Sequence, residues 1–562
     1  MRRAFVEVAG RLVHYRCGGQ GAPVVMLHPA PLSSAQVLPV ARALTTHFSV
    51  FALDTPGCGL SDPLPGPDTQ SLEPYLDPRA GTLDALGIRR CCLYGAAAGA
   101  QIALEFARRY PDRVSLLVLE SAGHMSEAET SALLPDYFPS VEPRPDGAHL
   151  LAYWHMVREL NHFFPWSVTR LSHRVERDLP EPAQLQALLL DYLRAGPSYP
   201  RAYRPALRNE RVERYRGLEV PALLTRWPGS LMLRTVDALL EQGLPPGVEL
   251  LPLGPTLGDR ASGIRDALLR RGLDDPPPVE RNRPRGTGLH RSLIDGPGGA
   301  SQQLLARMCL DGSARPLAVV HEAGGSTALH EAFIAAAAAE RPVVAIDLPG
   351  HGESDGPQDT GTDAIPAAVG SIAHVLGHLG IDECDVIGLQ TGGLIATELA
   401  LAFPGAVRRV MHVGPWLLDS EEREEFSYRY VPSLTPHTYG THLIAAWQML
   451  RDMQLYWPWF KRTRESIRWC EPDLDPTRLH ARFVELMKAG EHYADLMTDA
   501  CRYPLEQRLG GLRAPAAFAA TADDPLEARC VPAARLAPDS QVVILPDDPA
   551  LWPQELWDGD AP

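Results

Sequence analysis

Val386-Ile387-Gly388-Leu389-Gln390-Thr391-Gly392-Gly393 runs directly into Leu394-Ile395-Ala396-Thr397-Glu398-Leu399-Ala400. A short apolar run enters a glycine-bracketed turn and leaves as a helix-spaced segment that ends near Pro404. This is the outline of a G-x-S-x-G turn, where strand and helix meet at a strained bend that lifts the middle residue above a sheet. The middle residue here is Gln390. A neutral amide cannot be the attacking group of acyl transfer, so the bend is expected without its usual nucleophile.

Working outward, the same pattern stands earlier in the chain as Cys92-Leu93-Tyr94-Gly95-Ala96-Ala97-Ala98-Gly99, followed by a helix from Gln101 to Tyr110. His321, Asp347 and Gly388 follow His28, Asp54 and Gly95 by 293 residues each. At the same offset, residues 149–166 and 442–459 share 8 of 18 identities without a gap. The chain therefore reads as a tandem duplication. Alternation of strands and helices makes the fold class α/β, each half a mainly parallel sheet with flanking helices. The length of 562 residues likewise exceeds what one core supports. The domains are expected at 1–272 and 288–562, joined by a linker over 273–287, since Asp274 to Gly286 is proline-rich and lacks apolar periodicity. The glycine-rich stretch from Asp295 to Ala300 is either a second linker or a hairpin of the second domain. Shared origin implies that the halves pack like the protomers of a dimer fused into one chain, and a homo-oligomer is compatible with that origin.

The net charge of −16 argues against a nucleic-acid partner, which needs a basic surface. Lysine occurs only at Lys461 and Lys488, which disfavours Schiff-base chemistry. Nine scattered cysteines, an odd number with no C-x-x-C pair, fit reduced thiols in the cytoplasm. No apolar run of about 18 residues is present, so no membrane partner is expected. His374 and His378 have metal-ligand spacing but no third ligand nearby, so they are assigned to packing, with no metal and no cofactor expected.

Both halves resemble the α/β-hydrolase superfamily. The resemblance rests on His28-Pro29, on His321-Glu322-Ala323-Gly324-Gly325, on the turns Asp54-Thr-Pro-Gly-Cys-Gly-Leu-Ser-Asp62 and Asp347-Leu-Pro-Gly-His-Gly-Glu-Ser-Asp355, and on the two glycine-bracketed bends. It implies a helical cap over a pocket, at about 122–195 and 415–489. It also implies a serine, a histidine and a carboxylate acting together, with an oxyanion hole of backbone N–H groups. In the first half the serine position is Ala97, the acid loop reads Arg226-Trp227-Pro228-Gly229-Ser230, and no histidine follows Val248-Glu249-Leu250-Leu251-Pro252. In the second half Gln390 replaces serine, Asp524 stands at the acid position, and Val542 to Pro549 lacks histidine. Both triads are thus expected to be degenerate.

The remaining polar residues make the second half the expected working site. Gln390 would offer an amide donor and acceptor. Thr391 would supply the oxyanion N–H, with its hydroxyl turned away. His321 would brace the loop or act directly, whereas its counterpart His28 lies in the degenerate half with Ala97. Glu322 and Asp524 could move a proton, and Glu322 has no counterpart because Pro29 stands there. Gly324 lines the loop on the substrate side. Trp447 and Arg451 share a helix face; they either belong to a lid held by an arginine–carboxylate pair or face the pocket, Trp447 and Trp459 forming an aromatic wall. Two functions follow. One is an atypical, cofactor-free hydrolase or lyase acting on a small apolar carbonyl or acyl compound. The other is a non-catalytic ligand-binding or assembly protein.

Overall fold

The computed structural model describes residues 1–140, 142–279, 288–357 and 363–557. It divides into two compact units, Met1–Glu142 with Ala148–Arg283 and Pro143–Gly147 with Pro284–Pro562.

The first unit holds eight strands: β1 (Arg2–Val8), β2 (Arg11–Gly18), β3 (Pro23–Leu27), β4 (Ser49–Leu53), β5 (Cys91–Ala96), β6 (Val114–Glu120), β7 (Ala222–Arg226) and β8 (Val248–Pro252). Their order is β1-β2-β4-β3-β5-β6-β7-β8, with antiparallel pairing around β2 and parallel pairing elsewhere. The second unit repeats it with β9 (His290–Gly296), β10 (Gly299–Cys309), β11 (Leu317–Val320), β12 (Val343–Ile346), β13 (Cys384–Leu389), β14 (Val407–Val413), β15 (Ala516–Thr521) and β16 (Ser540–Leu545). Read from β9, its order is β9-β10-β12-β11-β13-β14-β15-β16, the same topology. The central strands β3, β5, β11 and β13 are buried along their whole length, as continuous apolar runs in a sheet covered on both faces must be. The glycine-rich stretch near Asp295 is a hairpin, Gly299 pairing with Gly296.

Register sets the site. Gly95 pairs with Leu27 and Gly388 with Val320, so the chain leaves β3 and β11 at His28 and His321 level with the bend. At the bend itself Ala97 has φ 49 and Gln390 φ 48, a conformation that costs a non-glycine residue about 1–3 kcal/mol. The helices that follow, Ala98–Arg109 and Gly392–Ala402, begin in contact with the sheet backbone. A Cβ at Gly99 would lie 2.5 Å from His28 O, and one at Gly392 would lie 2.4 Å from Val320 O.

A helical insertion separates β6 from β7 and β14 from β15. It extends to Asn209 in the first unit and Arg502 in the second, beyond the ends expected at 195 and 489. The glycines Gly196 and Gly490, both at positive φ, end one helix, and another begins at once. Of the expected linker, residues 280–287 lie outside the described residues. The part before them packs on the first unit, where Asp275 is buried against Ser115 and the Val279 N–H donates to Gly87 O at 3.2 Å.

Because the obstructing atoms at Gly392 are main-chain carbonyls, Gly392→Ala is expected to destabilise the protein by about 1–3 kcal/mol. Gly405→Ala, which meets nothing within 4 Å, should be neutral. Thermal melts of the two variants decide; an unchanged transition in Gly392→Ala contradicts the close approach.

Candidate functional site

In the second unit the bend presents Gln390 exposed, its N–H donating to Val413 O at 2.7 Å. The next strand, β14, ends at Val413, immediately before Gly414. A Cβ there would lie 3.1 Å from Asp524 Oδ2 and 3.5 Å from Gln390 Cγ, so the two polar side chains flank one backbone position. Asp524 is half-buried and accepts from the Leu526 N–H at 2.8 Å. Burial raises its carboxyl above the usual carboxylate range, and the Leu526 N–H and Arg468 offset this only in part.

Thr391 is buried, and its hydroxyl accepts the Ala323 N–H at 2.8 Å. The hydroxyl thereby engages an N–H of the loop after β11. Gly324, beside that donor, is covered by the cap: a Cβ on it would lie 2.8 Å from Tyr493 Cδ2 and 3.0 Å from Leu486 Cδ1.

His321 is fully buried with both ring nitrogens engaged. The Leu348 N–H donates to Nε2 at 2.9 Å, which makes Nδ1 the protonated nitrogen, and Nδ1 donates to Glu322 O at 2.7 Å. Burial lowers its pKa, so the ring stays neutral. His28 repeats the arrangement, with Thr55 N–H at 2.9 Å and Pro29 O at 2.8 Å. Both histidines brace their loops, and neither has a nitrogen left for a substrate. Glu322 instead binds His330, Oε2 to Nε2, at 2.7 Å. Burial pushes the Glu322 carboxyl up, but the charge and hydrogen bond of His330 outweigh it and leave it lowered to about 2.

The alpha/beta hydrolase fold family matches residues 22–150 and again 316–458. The chain carries the α/β-hydrolase fold twice. Over 137 residues it is 32% identical to the cis-3-alkyl-4-alkyloxetan-2-one decarboxylase of Shewanella oneidensis, covering 24% of this chain and 42% of that protein. Over 123 residues it is 32% identical to the 2-hydroxy-6-oxo-6-phenylhexa-2,4-dienoate hydrolase of Comamonas testosteroni, covering 21% and 42%. Among solved structures, the enol-lactonase of Burkholderia xenovorans aligns over 46% of this chain and 93% of its own, with TM-score 0.35 and 18% identity. The chain thus spans less than half the length of the curated relatives named here. Among the described residues no helix is long and apolar enough to cross a membrane.

Elsewhere in the second α/β-hydrolase unit, Trp447 and Arg451 do share a helix face and an acceptor. Trp447 Nε1 and Arg451 Nη1 each donate to Pro145 O at 3.2 Å, within the same compact unit. The carboxylate beside Arg451, Asp452, binds Arg462 at 2.6 Å instead. Helical spacing predicts which residues share a face, not what that face meets. His374 and His378 are exposed on their helix, so packing does not account for them.

The first α/β-hydrolase unit closes the corresponding place with its own groups. Ala97 offers no polar atom, and Ser121 stands at positive φ where the second unit has Gly414. Ser121 Oγ bonds Ser230 Oγ at 2.8 Å. Below them the buried Glu120 takes Tyr94 Oη at 2.6 Å and Arg260 Nη1 at 2.8 Å, and Arg260 lies 5.1 Å over the Trp227 ring. The sequence reading missed His330, Tyr493 and this serine pair. Comparing the halves position by position offers a signal for His330, because Glu322 and His330 stand against Pro29 and Val37.

His412, on β14, supports the helix after the bend: a Cβ at Gly393 would lie 2.4 Å from its Nδ1. The ring stacks on Phe518 at 5.0 Å, and Nε2 meets Thr397 Oγ1 at 3.1 Å. Burial lowers its pKa from 6.5 to about 4. Between those values the unfolded chain binds a proton that the folded chain does not, so stability present above pH 6.5 is lost on acidification toward pH 4. The slope is about 1.4 kcal/mol per pH unit for this group. Urea unfolding of His412→Gln should show a shallower loss than the natural protein across the window; parallel curves would contradict the assignment.

Proposed function

We propose that the second unit acts, without a Ser-His-Asp triad and without a cofactor, as a hydrolase or lyase on a small, largely apolar carbonyl or acyl compound. The first unit, on this reading, is a catalytically degenerate scaffold. The observation that carries it is the convergence of Gln390 and Asp524 on Gly414, where the first unit has Ala97 and a self-paired Ser121. The Gln390 amide and the Thr391 N–H polarise the substrate oxygen. Water adds to the acyl carbon and yields its proton to the Glu322–His330 pair. The acyl bond then breaks, and Asp524, whose carboxyl burial favours in its protonated form, returns a proton to the leaving oxygen. Two environments that push carboxyl groups in opposite directions are what such a division of labour requires. The named relatives include a decarboxylase and a hydrolase, which is why both reaction classes are kept. With a net charge of −16 the partner is a small molecule rather than nucleic acid, and nine unpaired cysteines support a cytoplasmic, reducing setting.

A second reading, a non-catalytic ligand-binding or assembly protein, is favoured by one observation. Tyr493 and Leu486 rest on Gly324 while the Thr391 hydroxyl takes the Ala323 N–H, so the loop's donor side is filled from within.

Intact-mass analysis after fluorophosphonate treatment is expected to show no adduct; stoichiometric labelling would establish a serine nucleophile and end the proposal. On a panel of aryl esters, β-lactones and oxo-dienoates, Gln390→Ala and Asp524→Asn should each lower kcat/KM by about 100-fold or more. Absence of turnover, with ligand-induced stabilisation that Gln390→Ala removes, would favour the binding reading.

A further inference from the structure

The interior of the second unit's cap is a cluster of aromatic rings. Trp416 meets Tyr430 edge-on with centroids 5.3 Å apart, Phe426 stacks on Tyr430 at 5.3 Å, and Trp459 lies 6.2 Å from it. Phe460 closes the group against Phe426 at 5.3 Å. Tyr493 joins this cluster to the loop after β11, its ring resting on Gly324. Burial, with Tyr493 as a lesser cause, pushes the Tyr430 hydroxyl up.

Three donors in this cluster have no hydrogen-bond partner among the described residues: Trp416 Nε1, Trp459 Nε1 and the Tyr493 hydroxyl. Their residues are 2%, 6% and 3% exposed. A buried donor left unpaired costs about 1–3 kcal/mol. In the first unit the counterparts of two of these donors are paired, although among the described residues that unit leaves other buried donors, such as Tyr215 Oη and Trp227 Nε1, without a hydrogen-bond partner. Trp166, 293 residues before Trp459, donates its indole N–H to Tyr137 O at 3.0 Å. Tyr199 follows the turn at Gly196 (φ 45) as Tyr493 follows the one at Gly490 (φ 53), and its hydroxyl donates to Met156 Sδ at 3.6 Å. At the place of Trp416 the first unit has Gly123. The second unit has therefore lost two internal partners and gained a third donor in one neighbourhood.

An indole N–H can only donate, so the missing partner is an acceptor. Flat rings around it favour a flat, unsaturated body. We propose that this cluster is the ligand-recognition site of the second unit, and that its ligand is a planar unsaturated compound bearing a carboxylate or carbonyl oxygen, bound by Trp416, Trp459 and Tyr493. This rests on the reading of the second unit as the one that handles a small molecule, and it names the substrate class.

The test is the indole N–H region of a nitrogen-15 correlation spectrum of the full chain, with Trp416→Phe and Trp459→Phe assigning the signals. Sodium benzoate, acetophenone and ethylbenzene are the probes: a carboxylate, a carbonyl and an acceptor-free body of similar shape. Saturable downfield shifts of both indole signals with benzoate or acetophenone, but not with ethylbenzene, are expected, and whichever of the two acts tells carboxylate from carbonyl. Tyr493→Phe, which removes only the hydroxyl, should weaken binding by about tenfold, whereas Trp166→Phe should leave it unchanged. No saturable shift, or an equal response to ethylbenzene, would mean that ordered water satisfies these donors and would overturn the proposal. Shifts without turnover would leave this site standing and remove the catalytic reading; turnover unaffected by Tyr493→Phe and Trp416→Phe would do the reverse.

Discussion

A helix whose first residues touch the main chain of the neighbouring strand holds each unit together at its functional end. Gly392 admits Val320 O and His321 O at distances no side chain would allow, and Gly99 does the same for Leu27 O and His28 O. That contact fixes the height of the bend. It also fixes the loop after β11, because Val320 pairs with Gly388 and the chain turns out of the sheet one residue later. The buried imidazole then fastens the end of β12 through the Leu348 N–H. Three strand ends are thereby locked as a plate, and none of the locking groups is the side chain at the apex. Chemistry at the apex can change while the architecture stays.

Freed from one constraint, the two copies settled differently. The first unit placed an ion pair inside, Arg260 to Glu120 with Tyr94 as a further donor, and its cap tyrosines bond one another, as Tyr137 and Tyr203 do at 2.9 Å. The second unit pairs Arg341 with the buried Asp385 of β13, and in its cap Lys488 meets both Glu353 and Glu485 at 2.7 Å. Such pairs specify geometry more than they add stability. Among the described residues both interiors keep buried donors without a hydrogen-bond partner, Tyr215 Oη and Trp227 Nε1 in the first unit and Trp416 Nε1 and Trp459 Nε1 in the second.

The duplication, the two sheets and the bend were legible because they are written in periodicity and glycine spacing, which depend on local sterics. The brace role of His321 was legible only as one of two options, since which atoms face its nitrogens is decided by Leu348, just beyond the end of β12. That Trp447 and Arg451 share a face was legible from helical spacing, whereas their common acceptor Pro145, some 300 residues away in sequence, was not. His330 and Tyr493 carried no motif at all. They matter through pairings across loops, and the one sequence signal was departure from the sister half.

The Thr391 hydroxyl on the Ala323 N–H couples two segments that lie far apart in sequence. A displacement of the loop after β11 is passed through that bond to the apex beside it, so loop and bend yield together.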